Sequence, residues 1–423
     1  IFHVGDTTGK SIMNVLGNLV MNNPNIEVYE NHMGVDLITK NKFFNVKEKK
    51  DLCFGFYIHD IKNNFVKTVE CEATFVATGG IGKVFLYTSN PDVATGDGIA
   101  MCYRAGISLA NMEFIQFHPT VFYDVNSNPG ERIFLLTEAL RGAGAFLKLK
   151  KDNNDDFVLK YHPLGSKATR DVVSKAEDVE MRENGLAHVW LDCTKIPKNI
   201  LMNDFKNSYE FCLSKGFDLT KDSVPVVYAE HYSNGGVLVD ENGETEISNC
   251  FVLGESSYTG LHGATRLASN SAPECVLFAR AAVKKVLERK SINEKSKIPE
   301  WDNLRTNEIK DKITVHYYWD IVRRTMSTLC GVSRNEERLN AAKAILEAVK
   351  ENVHHFYWKY QVSKDFLEVR NIADVALSVV LSALMRKETR ACHKREDFPD
   401  ENKEYSGISI YSKNNRPFIQ EIK

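Results

Sequence analysis

The sequence has little net charge, no long apolar run and no clustered cysteine motif. Its 54 lysines and arginines nearly balance its 56 aspartates and glutamates, which argues against a general nucleic-acid-binding protein, because such proteins carry a basic surface. No apolar run approaches the 18 or so residues of a membrane span. The hydrophobic and charged fractions, 43% and 26%, are typical of globular proteins. A chain of 423 residues predicts two or three domains.

Nine cysteines are spread through the chain without a single CxxC pair. Structural zinc sites and thioredoxin-like motifs use such pairs, so both are excluded. An odd number of widely spaced cysteines in a long chain predicts free thiols in a reducing compartment. No signal peptide is visible. We therefore expect a cytoplasmic protein, with an organelle as the open alternative.

A dinucleotide-binding fingerprint, GxGxxG, is also missing from the sequence. Three GxG runs occur, beginning at Gly80, Gly96 and Gly142, and each has a bulky residue where the third glycine should stand. The third glycine of the fingerprint allows the helix to pack closely on the strand. None of the three runs is therefore expected to hold a pyrophosphate.

Apolar patterns predict strands and helices on both sides of a more polar middle. The segments FGFYIHD (54–60), CEATFVATGG (71–80) and CFVLGE (250–255) have the apolar character of strands. Residues 97–107 and a segment that starts near Ser271 are predicted helices. From about residue 303 onward, apolar residues that step by three and four predict a helical bundle, followed by a polar tail without periodicity.

Four short segments each combine histidine or arginine with glycine, serine or threonine: QFHPT (116–120), ATRD (168–171), EHYSNGG (230–236) and LHGATRLASNS (261–271). Arginine offers a two-pronged donor to a carboxylate, and histidine and hydroxyl groups add further donors. Two arginines and two histidines would match a dicarboxylate. A single histidine is more often a turn residue and a single arginine a solvated charge, so the grouping carries this hypothesis.

Three longer segments resemble the flavoprotein family of succinate dehydrogenase and fumarate reductase: TEALRGAGAFL (137–147), HYSNGGVLVDENGET (231–245) and GESSYTGLHGATRLASNS (254–271). The wider family shares QFHPT, RD, HY-x-x-GG and HGA-x-R-x-x-x-NS. The segments SYTGLHGA and TEALRG favour its L-aspartate oxidase branch. The resemblance runs from residue 5 to about residue 399, and includes GVSRNEERL (331–339) and ETRACHKREDFP (388–399).

The resemblance implies an α/β fold with a Rossmann-like FAD-binding domain, an inserted α+β capping domain and a C-terminal helical bundle. The FAD-binding domain would comprise residues 1–111 and 234–302, the capping domain residues 112–233, and the helical domain residues 303–423. The family's GxGxxG turn is expected before residue 1. We therefore expect this chain to lack the segment that cradles the FAD pyrophosphate.

The activity that the resemblance implies is FAD-dependent oxidation of L-aspartate to iminoaspartate, with electrons passing to oxygen or fumarate. The product would feed quinolinate synthase in NAD biosynthesis. One alternative is a soluble fumarate reductase or succinate oxidase, because all family members bind a four-carbon dicarboxylate. The other is a non-catalytic or impaired remnant, suggested by the missing fingerprint and by Glu230. Further departures from the family pattern occur at Asn234, Thr265 and Ala272-Pro273.

The resemblance also assigns residues that act on the substrate. Arg170 corresponds to the family's catalytic arginine, which handles a proton at the substrate. Because the pKa of arginine is so high, a purely electrostatic role for Arg170 is the alternative. The residues that would bind or approach the substrate are His118, Thr137, Glu138, His231, Arg266 and Ser269. No metal is expected.

Four residues are assigned to the FAD cofactor: Asp97, Glu255, Ser271 and Ala272. Glu255 would accept hydrogen bonds from the ribose, and the helix start at Ser271 would present backbone N–H groups to the flavin ring. Glu230 stands beside His231 and would add negative charge near a dianion. Its replacement by alanine is therefore expected to tighten dicarboxylate binding, unless its side chain points away, as strand neighbours do.

Overall fold

The computed structural model describes residues 8–44, 46, 48, 50–124, 133–289, 298–302, 312–413 and 415–421. The chain falls into two units. The first comprises Ile1–His32, Pro119–Asn126 and Phe134–Tyr228, and the second comprises Met33–His118, Ser127–Ile133 and Ala229–Lys423. The fourfold division into domains expected from the sequence stays a prediction, and its boundary at residue 303 lies outside the described residues.

The described α-helices and β-strands are as follows. The helices are α1 (Thr8–Met21), α2 (Lys40–Phe44), α3 (Asp97–Ala105), α4 (Ala139–Ala143), α5 (Arg170–Asn184), α6 (Lys198–Asn203), α7 (Lys206–Ser214), α8 (Ser271–Glu288), α9 (Lys312–Leu329), α10 (Glu336–Lys359) and α11 (Lys364–Met385). The strands are β1 (His32–Thr39), β2 (Cys53–Asp60), β3 (Phe65–Glu70), β4 (Thr74–Val76), β5 (Leu109–Ala110), β6 (Ile115–Phe122), β7 (Phe146–Lys148), β8 (Val189–Asp192), β9 (Val224–Ser233), β10 (Gly236–Leu238), β11 (Cys250–Val252), β12 (Ser257–Tyr258), β13 (Ser333–Arg334), β14 (Lys394–Arg395), β15 (Gly407–Ser412) and β16 (Asn415–Glu421).

The first unit contains most of a four-stranded sheet in the order β6-β9-β8-β7. Strand β7 pairs antiparallel with β8, and β8 pairs antiparallel with β9. Helix α5 begins at Arg170 and is followed by Gly185, whose φ of 63° suits glycine at a helix end. The unit boundary falls inside β6, after His118, and inside β9, after Tyr228.

The second unit contains a parallel pair formed by β4 and β11, in addition to a three-stranded sheet β1-β2-β3 and a five-stranded sheet β12-β10-β5-β15-β16. Cys250 lies opposite Thr74, and Val252 lies opposite Val76. The two strands predicted to end on glycine are therefore neighbours. Strand β4, Thr74–Val76, covers only part of the predicted segment 71–80.

Three helices, α9 to α11, form the main part of the predicted helical bundle. Helix α10 buries the residues whose spacing predicted it, Leu339, Ala342, Leu346, Val349 and Val353. The prediction of an irregular polar tail is wrong, because Gly407–Ser412 and Asn415–Glu421 form the antiparallel strands β15 and β16. Strand β15 also pairs with β5 and buries Ile410. This partner strand, almost 300 residues earlier, supplies the pairing that the tail's polar composition did not reveal.

The cysteine thiols match the prediction from the sequence. All nine cysteines lie within the described ranges and are free thiols, as predicted. Among the helices that the structure describes, none is long and apolar enough to cross a membrane.

Candidate functional site

The carboxyl ends of β4 and β11 form an edge at which three turns meet. The Gly96 N–H donates to the Gly80 carbonyl at 3.2 Å, and the Gly98 N–H donates to Thr78 Oγ1 at 3.0 Å. Thr78 Oγ1 in turn lies 3.2 Å from Ser256 Oγ. The start of α3 and the turn after β11 thus join the same edge, which is where open α/β sheets bind their ligands.

Two predicted cofactor residues lie at this edge. Asp97 is the first residue of α3, and its Oδ1 accepts hydrogen bonds from Thr95 Oγ1 at 2.6 Å and Asn371 Nδ2 at 2.8 Å. Glu255 follows β11, and its Oε1 accepts from the Ser233 N–H at 2.9 Å. The structure therefore brings Asp97 and Glu255 to one edge and holds each carboxyl group by protein donors.

The other two predicted cofactor residues, Ser271 and Ala272, open helix α8. The residue before them, Asn270, makes no side-chain capping hydrogen bond to this helix. A Cβ atom on Gly254 would lie 3.0 Å from Cys275 Sγ, so the first turns of α8 pack on the turn that follows β11. An uncapped helix start offers backbone N–H groups and the positive end of the helix dipole to an electron-rich ligand.

The run Gly80-Ile81-Gly82 makes room for two carboxyl groups. A Cβ atom on Gly80 would clash with Glu255 Oε1, and one on Gly82 would lie 2.6 Å from Glu230 Oε2. The glycines are therefore needed for the close approach of side chains. This use differs from that of the fingerprint glycines, which admit a pyrophosphate.

Glu230 is neutral in most molecules at pH 7. Burial raises its pKa to about 8, and the negative charge of Glu255 adds to this effect. Burial likewise raises the pKa of Glu255 to about 7. Glu230 Oε2 accepts hydrogen bonds from Thr88 Oγ1 at 2.9 Å and Asn90 Nδ2 at 2.7 Å. The raised pKa and the hydrogen bonds to residues 88–90 argue against repulsion of a dianion by Glu230, and the effect of its replacement on dicarboxylate binding stays a prediction.

Raising the pH from about 5 to about 8.5 is expected to destabilise the protein through Glu230. The folded-state pKa of about 8 lies above the ordinary value of 4.5, so the folded state binds more protons in this window and loses stability as the pH rises. A difference of one pH unit between the folded and unfolded pKa corresponds to about 1.4 kcal/mol of stability. Urea unfolding at a series of pH values measures this dependence. Glu230→Gln should flatten it, and equal slopes for the two proteins would contradict the prediction.

Three predicted substrate residues lie on adjoining segments of the second unit: His118 and His231 contact each other, and Arg266 is bound to strand β6 through Gln116. The ring centroids of His118 and His231 are 5.3 Å apart. Gln116, two residues before His118 on β6, accepts from Arg266 Nη2 at 3.2 Å and donates to the Arg266 carbonyl at 2.9 Å. The Arg266 guanidinium lies 4.2 Å above the ring of Tyr232. Two imidazoles and a guanidinium in one cluster have the donor chemistry that carboxylates require.

Glu274 supports this cluster and was not found from the sequence. It is buried on α8, and its Oε2 lies 2.9 Å from His262 Nε2 and accepts from Tyr232 Oη at 3.4 Å. Its Oε1 accepts from Thr259 Oγ1 at 2.5 Å. These bonds hold Tyr232, the ring on which Arg266 lies. An acid in the first turn of a helix is ordinarily explained by the helix dipole, so no sequence signal distinguished Glu274.

In the first unit, Arg170, Glu138 and Arg141 form a chain of ion pairs. Arg170 Nε donates to Glu138 Oε2 at 2.7 Å, and Arg141 Nη2 donates to Glu138 Oε1 at 3.0 Å. Arg141 is buried and also donates to the carbonyls of Ser166 and Ala168. The sequence predicted Arg170 and Glu138 but not Arg141, although Arg141 lies in the quoted TEALRG segment. One carboxylate thus bridges two guanidinium groups.

Thr137 and Ser269 are the two predicted substrate residues whose contacts contribute least to the candidate site. Thr137 is half-buried, and its Oγ1 accepts from the Ala139 N–H at 3.4 Å. Ser269 is exposed and has a φ of 70°, a conformation that costs energy for a residue other than glycine. Neither hydroxyl takes part in the described contacts of the two clusters.

Local hydrogen bonds accommodate two departures from the family pattern. Thr265 Oγ1 accepts from Cys392 Sγ at 3.1 Å and from Gln116 Nε2 at 3.3 Å. Asn234 Nδ2 donates to the Phe114 carbonyl at 3.0 Å. Both substituted side chains are therefore used by the fold.

The described residues contain no group of histidine, cysteine, aspartate or glutamate side chains suited to a metal ion.

Comparison with known proteins first defines the class of protein to which this chain belongs. Residues 1–272 match the family described as FAD binding domain, and residues 320–420 match the family described as fumarate reductase flavoprotein C-term. The structure is similar to E. coli quinol fumarate reductase, with a TM-score of 0.83 and 24% sequence identity over 100% of this chain and 76% of that chain. The predicted fold, that of an FAD-binding flavoprotein with a C-terminal helical domain, is confirmed.

Curated relatives identify the branch. The L-aspartate oxidase of Yersinia pestis is 40% identical over 402 residues, which cover 95% of this chain and 74% of that protein. The chloroplastic L-aspartate oxidase of Arabidopsis thaliana is 36% identical over 422 residues, covering 94% of this chain and 63% of that protein. The chain belongs to the L-aspartate oxidase family, and FAD is its cofactor.

The residues at the β4–β11 edge fit FAD. The Glu255 carboxyl group is an acceptor for ribose hydroxyl groups, and the uncapped start of α8 at Ser271 and Ala272 supplies N–H donors for the flavin ring. We propose these three residues, together with Asp97, as the FAD contacts of this chain.

Proposed function

We propose that the protein oxidises L-aspartate to iminoaspartate with FAD as the electron acceptor, the first step of NAD biosynthesis through quinolinate. The observation that carries this proposal is the cluster of His118, His231 and Arg266 in a chain of the L-aspartate oxidase family. When bound, FAD supplies a two-electron acceptor. The protein must then bind the two carboxylates of the substrate and take up a proton.

We assign the carboxylates to the cluster in the second unit. The guanidinium of Arg266 matches a carboxylate with two parallel donors. Gln116 and the face of Tyr232 hold this guanidinium in place. The paired imidazoles of His118 and His231 add N–H donors. The arrangement recognises negative charge through hydrogen bonds of fixed direction, which favours one pose of the substrate.

We assign the proton to Arg170 in the first unit. Its Nε donates to Glu138 Oε2 at 2.7 Å, so a proton gained by the guanidinium at the substrate can be matched by one passed to Glu138. Arg141, bound to the other oxygen of Glu138, stabilises this carboxylate between transfers. A purely electrostatic role for Arg170 does not require proton transfer along these ion pairs. Substitution of Glu138 therefore separates the two roles. If the proton moves along these ion pairs, Glu138→Gln should lower kcat more than it raises KM, whereas a role of Glu138 in binding alone should mainly raise KM.

Arg266→Leu is expected to weaken dicarboxylate binding about ten- to a hundredfold. The lost hydrogen bond joins two charged groups, and such bonds contribute about 1.5–3 kcal/mol. Calorimetric titration with succinate, a non-oxidised analogue under this proposal, measures the effect. Arg280→Leu is the matched control, since Arg280 is an exposed arginine of α8. Unchanged succinate affinity in the Arg266 variant would exclude its carboxylate role.

A fumarate reductase or succinate oxidase activity is the second candidate, favoured by the similarity of the fold to quinol fumarate reductase. Steady-state turnover with L-aspartate and with succinate separates the two, and we expect L-aspartate to be the better substrate. Oxygen and fumarate, tested as acceptors in the same assay, show which one reoxidises the cofactor. The raised pKa of Glu230 weakens one of the two arguments for the impaired-remnant alternative, and the turnover assay with L-aspartate tests that alternative directly.

The product also implies a partner. Iminoaspartate is an imine that water hydrolyses, so its use in biosynthesis requires a consuming enzyme that acts quickly. We propose that this enzyme is quinolinate synthase. Addition of quinolinate synthase to the reaction should divert product from oxaloacetate to quinolinate when dihydroxyacetone phosphate is present.

A further inference from the structure

We propose that Glu230 is a positioning residue, which holds His231 in the orientation that carboxylate binding requires by anchoring the turn Thr88-Ser89-Asn90. This inference rests on the proposed function, because it assigns His231 to the substrate. Glu230 stands where the family has a small residue, so the family pattern gives it no role.

The first step of the argument is the attachment of Glu230 to the turn. Its side-chain Oε2 accepts from Thr88 Oγ1 at 2.9 Å and from Asn90 Nδ2 at 2.7 Å. Its backbone N–H donates to the Tyr87 carbonyl at 2.9 Å, and its carbonyl accepts from the Ser89 N–H at 3.0 Å. Four hydrogen bonds thus tie one residue of β9 to four consecutive residues, 87–90. The two made by the carboxyl group are the ones that depend on the identity of residue 230.

The second step is the contact of the turn with His231. Ser89 Oγ lies 2.8 Å from His231 Nδ1 and 3.4 Å from the Glu230 carbonyl. The Ser89 hydroxyl donates to this carbonyl, and its short contact with Nδ1 fixes the position of the imidazole ring. Asn90 Nδ2 also donates to the His231 carbonyl at 3.4 Å. The turn therefore fixes both the ring and the backbone of His231.

The third step concerns the protonation of Glu230. The residue is fully buried, and Oε1 has no hydrogen-bond partner within the part of the chain that the structure describes. Because Oε2 accepts two hydrogen bonds, the proton of the neutral carboxyl group belongs on Oε1. The charged group that interacts with it is Glu255, whose negative charge favours the neutral form. A glutamine has the same shape and the same neutral charge, with an acceptor oxygen for Thr88 and Asn90.

The consequence for the site is a pre-oriented donor. With Nδ1 in contact with Ser89, the ring of His231 keeps one orientation beside His118. Without the carboxyl group of Glu230, Thr88 and Asn90 lose their shared acceptor and the position of Ser89 is no longer fixed. His231 can then rotate, and each substrate carboxylate meets a less ordered donor set.

The test compares the full FAD-loaded chain with the variants Glu230→Ala, Glu230→Gln and Ser89→Ala. We expect Glu230→Ala and Ser89→Ala each to raise the Kd of succinate and the KM of L-aspartate about three- to tenfold, the loss expected for one neutral hydrogen bond. The double variant should be no worse than either single one, because both act through the same contact. Glu230→Gln should restore binding. Glu241→Ala, at an exposed acid on the turn after β10, is the control.

Three results would overturn the proposal. They are unchanged succinate affinity in Glu230→Ala and in Ser89→Ala, losses that add in the double variant, and a glutamine variant as weak as the alanine variant. If Glu230→Ala does not fold, Ser89→Ala still tests the contact with His231. If the wild-type protein binds succinate but does not oxidise L-aspartate, the proposed function fails, whereas the binding series still decides the role of Glu230.

Discussion

Replacement of Arg170 by leucine is expected to lower the turnover of L-aspartate by about 10²–10⁴-fold, with a much smaller change in KM. The range is that of a single general acid–base group. Arg170 starts helix α5 and its Nε donates to Glu138 at 2.7 Å, so leucine removes both the proton acceptor and its route to Glu138. A loss in kcat without a comparable change in KM indicates a role in the transition state. Steady-state kinetics of the FAD-loaded variant measures both.

Two further variants make this result specific. Lys175→Leu removes an exposed cation from the same helix and should leave turnover unchanged. Arg170→Lys keeps the positive charge but lacks the two-pronged donor. If Arg170 only neutralises substrate charge, the lysine variant should be nearly as active as the wild type. Near wild-type turnover in the leucine variant would refute any catalytic role.

Replacement of Arg386 by methionine is expected to destabilise the protein by about 3–5 kcal/mol. The side chain of Arg386 is fully buried between two buried carboxylates, with Nε 2.5 Å from Glu113 Oε1 and Nη1 2.8 Å from Glu388 Oε1. It also donates to the carbonyls of Tyr405 and Gly407 at 2.6 Å and 3.0 Å. Methionine fills part of the volume but leaves both acids buried without this cation. Urea unfolding compares the variant with the wild type.

The control for Arg386 is Arg416→Met, which removes an exposed arginine from β16. It should change the free energy of unfolding by less than about 0.5 kcal/mol, as surface substitutions usually do. A loss below about 1 kcal/mol in Arg386→Met would show that water or other donors replace the guanidinium. Glu113 precedes β6, which carries Gln116 and His118, so succinate affinity in the Arg386 variant also reports how far this buried cluster supports the site.

The sequence predicted those parts of the fold that local periodicity determines. The spacing of Leu339, Ala342, Leu346, Val349 and Val353 predicted α10, and each of these residues is buried. The strands β15 and β16 were not predicted. The pairing of β15 with β5 joins Ile410 to Ala110, and a contact over that sequence distance leaves no local pattern.

The candidate site also contains residues that the sequence predicted and residues that it did not. Composition and resemblance together pointed to His118, His231 and Arg266, which the structure places in one cluster. Glu274 has no motif of its own, and its role depends on Tyr232 and His262 reaching it in space. For Glu230 the residue type suggested a full negative charge, whereas burial and the charge of Glu255 raise its pKa to about 8, and neither effect is visible in the sequence.

The central claim is that this chain, with FAD, oxidises L-aspartate. Anaerobic mixing of the FAD-loaded protein with L-aspartate tests it most directly, because without oxygen or fumarate the reduced cofactor accumulates and its yellow colour fades. The account predicts that L-aspartate bleaches the visible absorbance, that oxaloacetate and ammonia appear as iminoaspartate is hydrolysed, and that succinate binds without bleaching. Bleaching by succinate together with no response to L-aspartate would contradict the account and would make the protein a succinate-oxidising member of the wider family.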